Sequence, residues 1–211
     1  MPASPTVLDV GCGPGRSTLV LADALPTSLL TAVDLHRPYL DELEIAAVAA
    51  GVDHRIDRVR ASMTDLPFED GRFDLIWSEG AIYVMGVEAG LSAWRRLLRP
   101  NGLLVFTEAT WFTDAPSPAT AAFWNAYPEM ASEDGNRRRA EAAGYEVLDT
   151  YRLPDEDWAA YYDPIADRLR AYDTSDTDVA AAVAAEWVEL DLYRDHGDEY
   201  GYTGYVLRLT D

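Results

Sequence analysis

Short apolar runs alternate with longer amphipathic segments through the first half of the chain. This alternation predicts a parallel α/β sheet covered by helices on both faces. The predicted strands are residues 6–10, 29–33, 58–61, 73–77 and 103–107. The predicted helices are residues 15–25, 38–50 and 88–98. Because the carboxyl ends of parallel strands meet at one edge of a sheet, we expect a ligand at that edge.

The pattern changes after residue 108. A Pro-, Trp- and Tyr-rich segment without a regular period comes first, followed by a helix, a sixth strand and two further helical runs. A final strand alternates aromatic and small residues and is expected to be antiparallel. These segments are 109–131, 133–143, 145–151, 157–172, 177–194 and 199–209. We predict a single domain over residues 1–211 with a ligand-binding first half, 1–108, and two substrate-side insertions, 109–131 and 154–199.

A glycine-rich turn follows the first predicted strand and leads directly into a predicted helix. Gly11, Gly13 and Gly15 are spaced G-x-G-x-G. Glycine supplies positive φ and lets a ligand approach the backbone, and a helix N-terminus offers free N–H groups. A dinucleotide fingerprint needs G-x-G-x-x-G, but Arg16 occupies the position of its last glycine. The carboxylate of Asp9 favours a ligand that carries an ammonium group over a pyrophosphate.

Charge and composition exclude several classes of protein. The chain has 37 acidic and 17 basic residues and a net charge of −20, so we expect no nucleic-acid partner. It has no apolar run of 18 residues and no signal-peptide pattern at its start, so no membrane partner is expected. One cysteine and three scattered histidines predict a cytoplasmic protein without a disulfide or a metal site.

Further motifs stand in order along the first half. Residues 66–74, Leu-Pro-Phe-Glu-Asp-Gly-Arg-Phe-Asp, lead into the fourth predicted strand, and residues 99–103, Arg-Pro-Asn-Gly-Leu, lead into the fifth. With Asp9 and the glycine turn, they resemble the class I S-adenosylmethionine-dependent methyltransferases of the ubiquinone/menaquinone-biosynthesis-like branch. Four other segments resemble a subgroup of small-molecule methyltransferases, some of them labelled antibiotic-pathway enzymes: 77–83, 107–112, 123–128 and 201–205.

The resemblance implies a Rossmann-like fold with a mostly parallel seven-stranded sheet, an antiparallel last strand and S-adenosylmethionine as cofactor. Asp34 ends the second predicted strand, where a carboxylate can accept both ribose hydroxyls. Ser62 stands where relatives often carry an aspartate for the adenine amine, and the Ser78 carbonyl corresponds to the acceptor of the cofactor's ammonium. The expected cofactor-binding residues are Asp9, Gly11, Cys12, Gly13, Gly15, Asp34, Leu35, Ser62, Met63 and Ser78.

Candidate catalytic residues lie at the predicted carboxyl ends of strands four and five. Glu79, Glu108 and Tyr83 are the candidates for proton transfer, which methyl transfer needs only if the acceptor is protonated at neutral pH. The two carboxylates could instead hold a cationic nitrogen of the substrate. The expected acceptor-binding residues are aromatic: Trp111, Trp124, Tyr127 and Tyr202. Such rings can also stabilise an ammonium or a sulfonium, although each of them could equally belong to a core.

Relatives carry a helical segment of some tens of residues ahead of their first strand, whereas here the predicted strand begins at residue 6. We therefore expect that the chain is truncated, that its gene start was misassigned, or that another element covers the site, such as the second subunit of a homodimer. Without such a cover, the cofactor is expected to be more exposed. The favoured function is methyl transfer to a small organic acceptor. The main alternative is a non-catalytic relative that binds S-adenosylmethionine or S-adenosylhomocysteine as a sensor or partner subunit. Aminopropyl transfer is a further alternative, and Asp9 and Arg16 oppose an NAD-linked oxidoreductase.

Overall fold

The computed structural model describes residues 1–210. The chain forms two compact units. Unit 1 contains Met1–Glu108, Asp134–Tyr151 and the chain from Gly204 onward. Unit 2 contains Ala109–Glu133 and Arg152–Thr203. The glycine turn lies in unit 1, and the four aromatic residues expected to bind the acceptor lie in unit 2.

Eight strands and seven α-helices are described in residues 1–210. The strands are β1 Thr6–Val10, β2 Leu29–Asp34, β3 Ile56–Arg60, β4 Phe73–Ser78, β5 Leu98–Trp111, β6 Ala131–Ser132, β7 Tyr145–Arg152 and β8 Tyr200–Leu209. The helices are α1 Arg16–Ala24, α2 Arg37–Ala49, α3 Val87–Arg95, α4 Pro118–Trp124, α5 Glu133–Ala142, α6 Asp155–Ala171 and α7 Thr177–His196. Among these described helices, α7 included, none combines the length and apolarity needed to cross a membrane.

The sheet has the strand order β3-β2-β1-β4-β5-β8-β7, and the two-residue β6 pairs with β5 outside this path. The pairs β1–β2, β1–β4, β2–β3 and β4–β5 are parallel. β8 is antiparallel to β7: the Thr210 N–H donates to the Gly144 carbonyl at 3.1 Å, and the Leu153 N–H donates to the Tyr202 carbonyl at 2.9 Å. The mostly parallel Rossmann-like sheet with an antiparallel last strand is therefore confirmed.

The strand bounds differ from the prediction where cross-strand pairing decides them. β3 begins at Ile56 instead of residue 58, because Ile56 pairs with Leu30 and is buried. β5 begins at Leu98, inside the predicted helix, because Leu98 pairs with Phe73. The turn residue Asn101 adopts a φ of 60° within β5, a left-handed conformation that asparagine tolerates better than most residues.

The segment predicted to be irregular also contains regular structure. β5 continues to Trp111, and α4 occupies residues 118–124. The Ser117 hydroxyl caps α4 by accepting the Thr120 N–H at 3.3 Å, which satisfies a backbone donor at the start of the helix. Asp176 caps α7 in the same way, through the N–H groups of Asp178 and Val179.

Alternating side chains of the central strands supply two apolar layers in unit 1. Leu8 of β1 and Ile76 of β4 belong to one layer, which also contains the fully buried Trp94. Val7 and Leu75, their neighbours along the strands, belong to the other layer. Because successive strand residues point to opposite faces, a one-residue shift would exchange the two layers. The central strands therefore hold the glycine turn in a fixed register.

Unit 2 has an aromatic core of its own. α6 and α7 pack together through Trp158 and Tyr162 of α6 and Leu190 of α7. The Trp158 ring stacks on the Tyr193 ring with a centroid distance of 4.4 Å. Aromatic pairs in this geometry add stability beyond the apolar area that they bury.

Arg55 gives a test of how unit 1 is held together. Its guanidinium donates to the carbonyls of Ala22, Leu25 and Ser28 at 2.8, 3.3 and 3.2 Å, joining the end of α1 to the start of β2. We expect Arg55→Ala to lower the free energy of unfolding by about 1.5–3 kcal/mol, as for hydrogen bonds made by charged groups. Urea unfolding followed by circular dichroism measures the change.

The matched control is Arg37→Ala on α2, which removes an exposed ion pair with Asp41. It should change the free energy of unfolding by no more than about 0.5 kcal/mol. Equal effects of the two substitutions would contradict the structural role given to Arg55.

Candidate functional site

The glycine turn combines two packed glycines with one open glycine. Gly11, Gly13 and Gly15 have φ angles of 73°, 53° and 90°. A Cβ on Gly11 would lie 2.5 Å from the Cβ of Ala81, and a Cβ on Gly15 would lie 2.2 Å from Leu43. A Cβ on Gly13 would meet no heavy atom within 4 Å. Only at Gly13 does the turn leave room for a ligand to approach the backbone.

A carboxylate stands beside this open position. Oδ2 of Asp34 accepts the Gly13 N–H at 2.9 Å, and Oδ1 accepts the His36 N–H at 2.8 Å. Each oxygen keeps a further lone pair for a ligand hydroxyl. The next residue, Leu35, is exposed, and its carbonyl accepts the Nε–H of Arg60 at 3.0 Å. The end of β2 thus offers a fixed acceptor pair and an exposed apolar side chain.

Asp9 is almost fully buried, and the Thr18 hydroxyl donates to its Oδ2 at 2.6 Å. Burial raises the pKa of Asp9 to about 7, the Thr18 hydrogen bond lowers it, and the charges of Glu79 and Asp34 raise it further. Burial, followed by the charges of Asp9 and Asp34, also raises the pKa of the Cys12 thiol. Cys12 is therefore a neutral thiol at physiological pH.

The segment after β3 forms a compact turn. The Thr64 N–H donates to the Ser62 hydroxyl at 3.3 Å, and the two hydroxyls of these residues lie 2.8 Å apart. The Met63 carbonyl accepts the indole N–H of Trp94 at 3.0 Å. This hydrogen bond fixes the turn to α3.

The end of β4 is tied to its neighbours. The Ser78 hydroxyl donates to the Val10 carbonyl at 3.0 Å, which joins the ends of β4 and β1. Oε2 of Glu79 accepts the Ser17 hydroxyl at 2.6 Å and the indole N–H of Trp77 at 3.4 Å. Glu79 therefore lies against the first turn of α1.

Glu108 and Tyr83 occupy different environments from Glu79. Glu108 is the last residue of unit 1 and is 2% exposed. By the alternation of strand side chains, Glu108 shares a face of β5 with Phe106. Tyr83 lies in a short 3₁₀ turn, Ile82–Val84, and is 50% exposed.

The four aromatic residues expected to bind the acceptor come together in unit 2. All four are partly buried and pack against one cluster that contains Met130, Leu192 and Tyr200: Trp111, Trp124, Tyr127 and Tyr202. The Trp124 and Tyr200 rings make an edge contact with a centroid distance of 5.2 Å. The structure brings these residues together, although they come from three separate segments of the chain.

Sequence reasoning missed several residues that shape the site. Ser17 and Thr18 bind the carboxylates of Glu79 and Asp9, and the two adjacent hydroxyl residues after the last glycine were a usable signal. Ala81 and Trp94 were not predictable in this way, because they act on residues more than 30 positions away. In residues 1–210, no group of three or more His, Cys, Asp and Glu side chains is arranged to hold a metal ion.

Comparisons with known proteins show which proteins the chain is similar to. Residues 7–102 match the family described as "Methyltransferase domain". The chain is 27% identical over 208 residues to the sarcosine/dimethylglycine N-methyltransferase of Halorhodospira halochloris, covering 95% of this chain and 71% of the relative. It is 32% identical over 124 residues to the demethylmenaquinone methyltransferase of Mycolicibacterium gilvum, covering 58% of this chain and 47% of that protein.

Over these residues the chain is similar to the class I S-adenosylmethionine-dependent methyltransferases. A solved methyltransferase of Geobacter sulfurreducens, in complex with S-adenosylhomocysteine, has the same fold at 20% identity and a TM-score of 0.82, covering all of this chain and 86% of that one. The cofactor of this methyltransferase is S-adenosylmethionine. The open position at Gly13 and the adjacent Asp34 carboxylate fit a nucleoside with free ribose hydroxyls.

The glycines of this methyltransferase should separate folding from cofactor binding. Gly13→Ala places its methyl group in the open space, so we expect a loss of about 1–2 kcal/mol in stability from the positive φ and at least tenfold weaker binding of S-adenosylmethionine. Gly15→Ala would place a methyl carbon 2.2 Å from the Leu43 side chain, which is a steric clash. It should therefore lower the free energy of unfolding more than Gly13→Ala does. Thermal unfolding and calorimetric titration measure the two effects. Unchanged cofactor affinity in a folded Gly13→Ala variant would contradict this arrangement.

Asp9 should make stability depend on pH. Its folded-state pKa of about 7 lies above the ordinary value, so the folded state binds more protons between about pH 4 and pH 7. The stabilising contribution of protonated Asp9 to the free energy of unfolding is therefore fully present below pH 4 and is lost as the pH rises through 7. As the pH rises from 5 to 8, we expect the free energy of unfolding of Asp9→Asn to increase by at least about 1 kcal/mol relative to that of the parent. Urea unfolding measures this difference. A constant difference between the two proteins would show that burial does not raise this pKa.

Proposed function

We propose that this methyltransferase acts on a small organic acceptor that is recognised by aromatic residues of unit 2. The observation that supports the proposal is the open face of Gly13 beside the Asp34 carboxylate, because this position leaves room for the cofactor's nucleoside to approach the backbone. S-adenosylmethionine supplies a methyl group already activated on a sulfonium, which an acceptor displaces in line. The protein therefore has mainly to bind, to orient and to exclude water.

We propose that Asp34 accepts the ribose hydroxyls, while Gly11, Cys12, Gly13 and Gly15 form the turn against which the nucleoside lies. The two N–H groups that hold Asp34 support this role, because they fix its carboxylate without occupying all of its lone pairs.

The remaining cofactor contacts are assigned by position. The Ser78 carbonyl and the buried Asp9 carboxylate would face the cofactor's ammonium. Because Asp9 is buried next to the negative charge of Glu79, its ionised form would be stabilised by a cationic partner. We propose that Leu35, Ser62 and Met63 contact the adenine. The Ser62 hydroxyl already closes a local turn with Thr64, so the backbone of this segment is the more available partner for the adenine amine.

Glu79, Glu108 and Tyr83 remain our candidates for proton transfer. The contacts favour separate roles for the two carboxylates: Glu79 is bound by Ser17 of α1, whereas Glu108 is buried on the face of β5 that carries Phe106. A buried carboxylate would suit the removal of a proton from a phenol, an alcohol or an ammonium.

In unit 2, we propose that Trp111, Trp124, Tyr127 and Tyr202 contact the acceptor, since all four pack in one cluster. The relative named as a sarcosine/dimethylglycine N-methyltransferase makes amines the first acceptors to screen. We further propose a cytoplasmic enzyme without a nucleic-acid or membrane partner, acting as one domain. A homodimer remains a prediction to be tested by the mass of the protein in solution.

The experiment is a calorimetric titration with S-adenosylmethionine and S-adenosylhomocysteine, followed by incubation with methyl-labelled cofactor and a panel of amines, phenols and thiols. We expect both cofactor forms to bind and a labelled product to appear with at least one acceptor. Asp34→Ala should weaken cofactor binding by about 1–3 kcal/mol through the loss of charge-assisted hydrogen bonds.

The matched control is Asp57→Ala on β3, an exposed carboxylate on the strand next to β2. It removes the same charge and should leave the cofactor affinity unchanged. If the parent and Asp34→Ala bound the cofactor with equal affinity, Asp34 would not be part of the cofactor site. Cofactor binding without a product from any acceptor would count against the proposed methyl transfer and not against the binding site.

A further inference from the structure

The carboxylate of Glu199 joins two segments of unit 2 that are far apart in the chain. Glu199 lies between the end of α7 and the start of β8. Its Oε2 accepts the Ser117 N–H at 2.8 Å, and its Oε1 lies 3.0 Å from Nδ1 of His196, the last residue of α7. The side chain of Glu199 is only 18% exposed. Both carboxylate oxygens are therefore engaged by groups of unit 2.

The backbone of Glu199 is fixed as well. Its carbonyl accepts the Phe112 N–H at 2.8 Å, one residue beyond the end of β5, and its N–H donates to the His196 carbonyl at 3.0 Å. The carboxylate therefore extends from a residue that is held on both sides. An acceptor that is fixed in advance can orient the group that binds to it, because little further freedom is lost when the contact forms.

Ser117, which donates to Glu199, also begins α4. The Ser117 hydroxyl accepts the Thr120 N–H at 3.3 Å and lies 2.9 Å from the fully buried Thr120 hydroxyl. Hydrogen bonds from the Ser117 N–H first, and then from the side chains of Thr120, His196 and Ser117, lower the pKa of Glu199 to about 2 against the opposite effect of burial. Glu199 is therefore ionised at neutral pH, and its contacts with the start of α4 are charge-assisted.

The start of α4 restricts where two aromatic residues lie. α4 ends at Trp124, whose carbonyl accepts the Tyr127 N–H at 2.8 Å, and the Tyr127 carbonyl accepts the Met130 N–H at 3.1 Å. The chain from Ser117 to Met130 is thus a short helix followed by two hydrogen-bonded turns. Trp124 and Tyr127 of this segment pack in the cluster that contains Met130. An anchor at the start of so short a segment limits the positions of both rings.

We propose that Glu199 is a positioning residue for the acceptor: it holds α4 so that Trp124 and Tyr127 lie where they contact the acceptor. Glu199 acts through α4 and is assigned no contact of its own with the acceptor or the cofactor. The inference rests on the proposed function in one respect, because that function assigns the acceptor to these rings. The hold on α4 itself requires no methyl transfer and can be measured separately.

Amide hydrogen exchange of the full chain, followed by mass spectrometry, tests the hold on α4. Glu199→Ala removes both carboxylate oxygens, so we expect residues 118–124 to exchange at least tenfold faster than in the parent, whereas residues 155–171 of α6 are unchanged. The matched control is Asp198→Ala, which removes an exposed carboxylate next to Glu199 and should leave the exchange of α4 unchanged. Equal exchange of α4 in the parent and in Glu199→Ala, or equal effects of the two substitutions, would overturn the proposal.

A positioning role also predicts a change in acceptor binding. With the member of the amine, phenol and thiol panel that yields the labelled product, Glu199→Ala should raise the KM for the acceptor at least tenfold and change kcat less than twofold. The calorimetric affinity for S-adenosylhomocysteine should stay the same. A lower kcat or a weaker cofactor affinity without a change in the KM for the acceptor would overturn the positioning role.

Glu199→Gln is the conservative variant. It keeps an oxygen for the Ser117 N–H and places an amide group opposite Nδ1 of His196. We therefore expect the exchange rate of α4 and the KM for the acceptor to lie within threefold of the parent values. If Glu199→Gln exchanged as fast as Glu199→Ala in α4 and had the same raised KM, hydrogen bonding by residue 199 would not position α4, and the proposal would be overturned.

The failures of the two proposals are distinguishable. Faster exchange of α4 in Glu199→Ala, together with no methylated product from any acceptor, would support the hold of Glu199 on α4 and count against the proposed function. A methylated product formed with the same KM for the acceptor in the parent and in Glu199→Ala would support methyl transfer and overturn the positioning role.

Discussion

The hydrogen bonds that bind the glycine turn to the end of β2 are the constraint on which the site depends. The Val33 carbonyl accepts the N–H groups of Gly11 and Cys12 at 2.9 and 3.0 Å, and Asp34 accepts that of Gly13. Three consecutive N–H groups are thus held by two residues of the neighbouring strand. This fixes a turn with positive φ angles in one orientation, so that its open face and its carboxylate are formed before any ligand arrives.

The central strands could be predicted closely from the sequence, because burial on both faces gives them continuous apolar runs that few other structures explain. The bounds of β1, β2 and β4 agree with the prediction within one residue. The starts of β3 and β5 were missed for a different reason. Ile56 and Leu98 belong to strands because of Leu30 and Phe73, and pairing between distant segments leaves no local pattern.

The same distinction explains what could be predicted of the site. Backbone requirements are local, so the glycine turn and the position of Asp34 at the end of a strand were readable from the sequence. The contacts of Trp94 with Met63 and of Ala81 with Gly11 join distant segments and were not. The aromatic residues of unit 2 are intermediate: their composition indicated a common role, whereas their meeting in one cluster follows only from the packing of helices and strands.

The position of β8 has a consequence for the order in which the sheet can form. β8 lies between β5 and β7, and in the sheet path it is the only neighbour of β7 among the described strands. During synthesis, β7 therefore has no partner until residues 200–209 leave the ribosome, some fifty residues after β7 itself. Strands β1 to β5 can pair earlier, whereas β7 exposes an unpaired edge for that interval. The strand that is synthesised last, β8, therefore completes the sheet by inserting between β5 and β7.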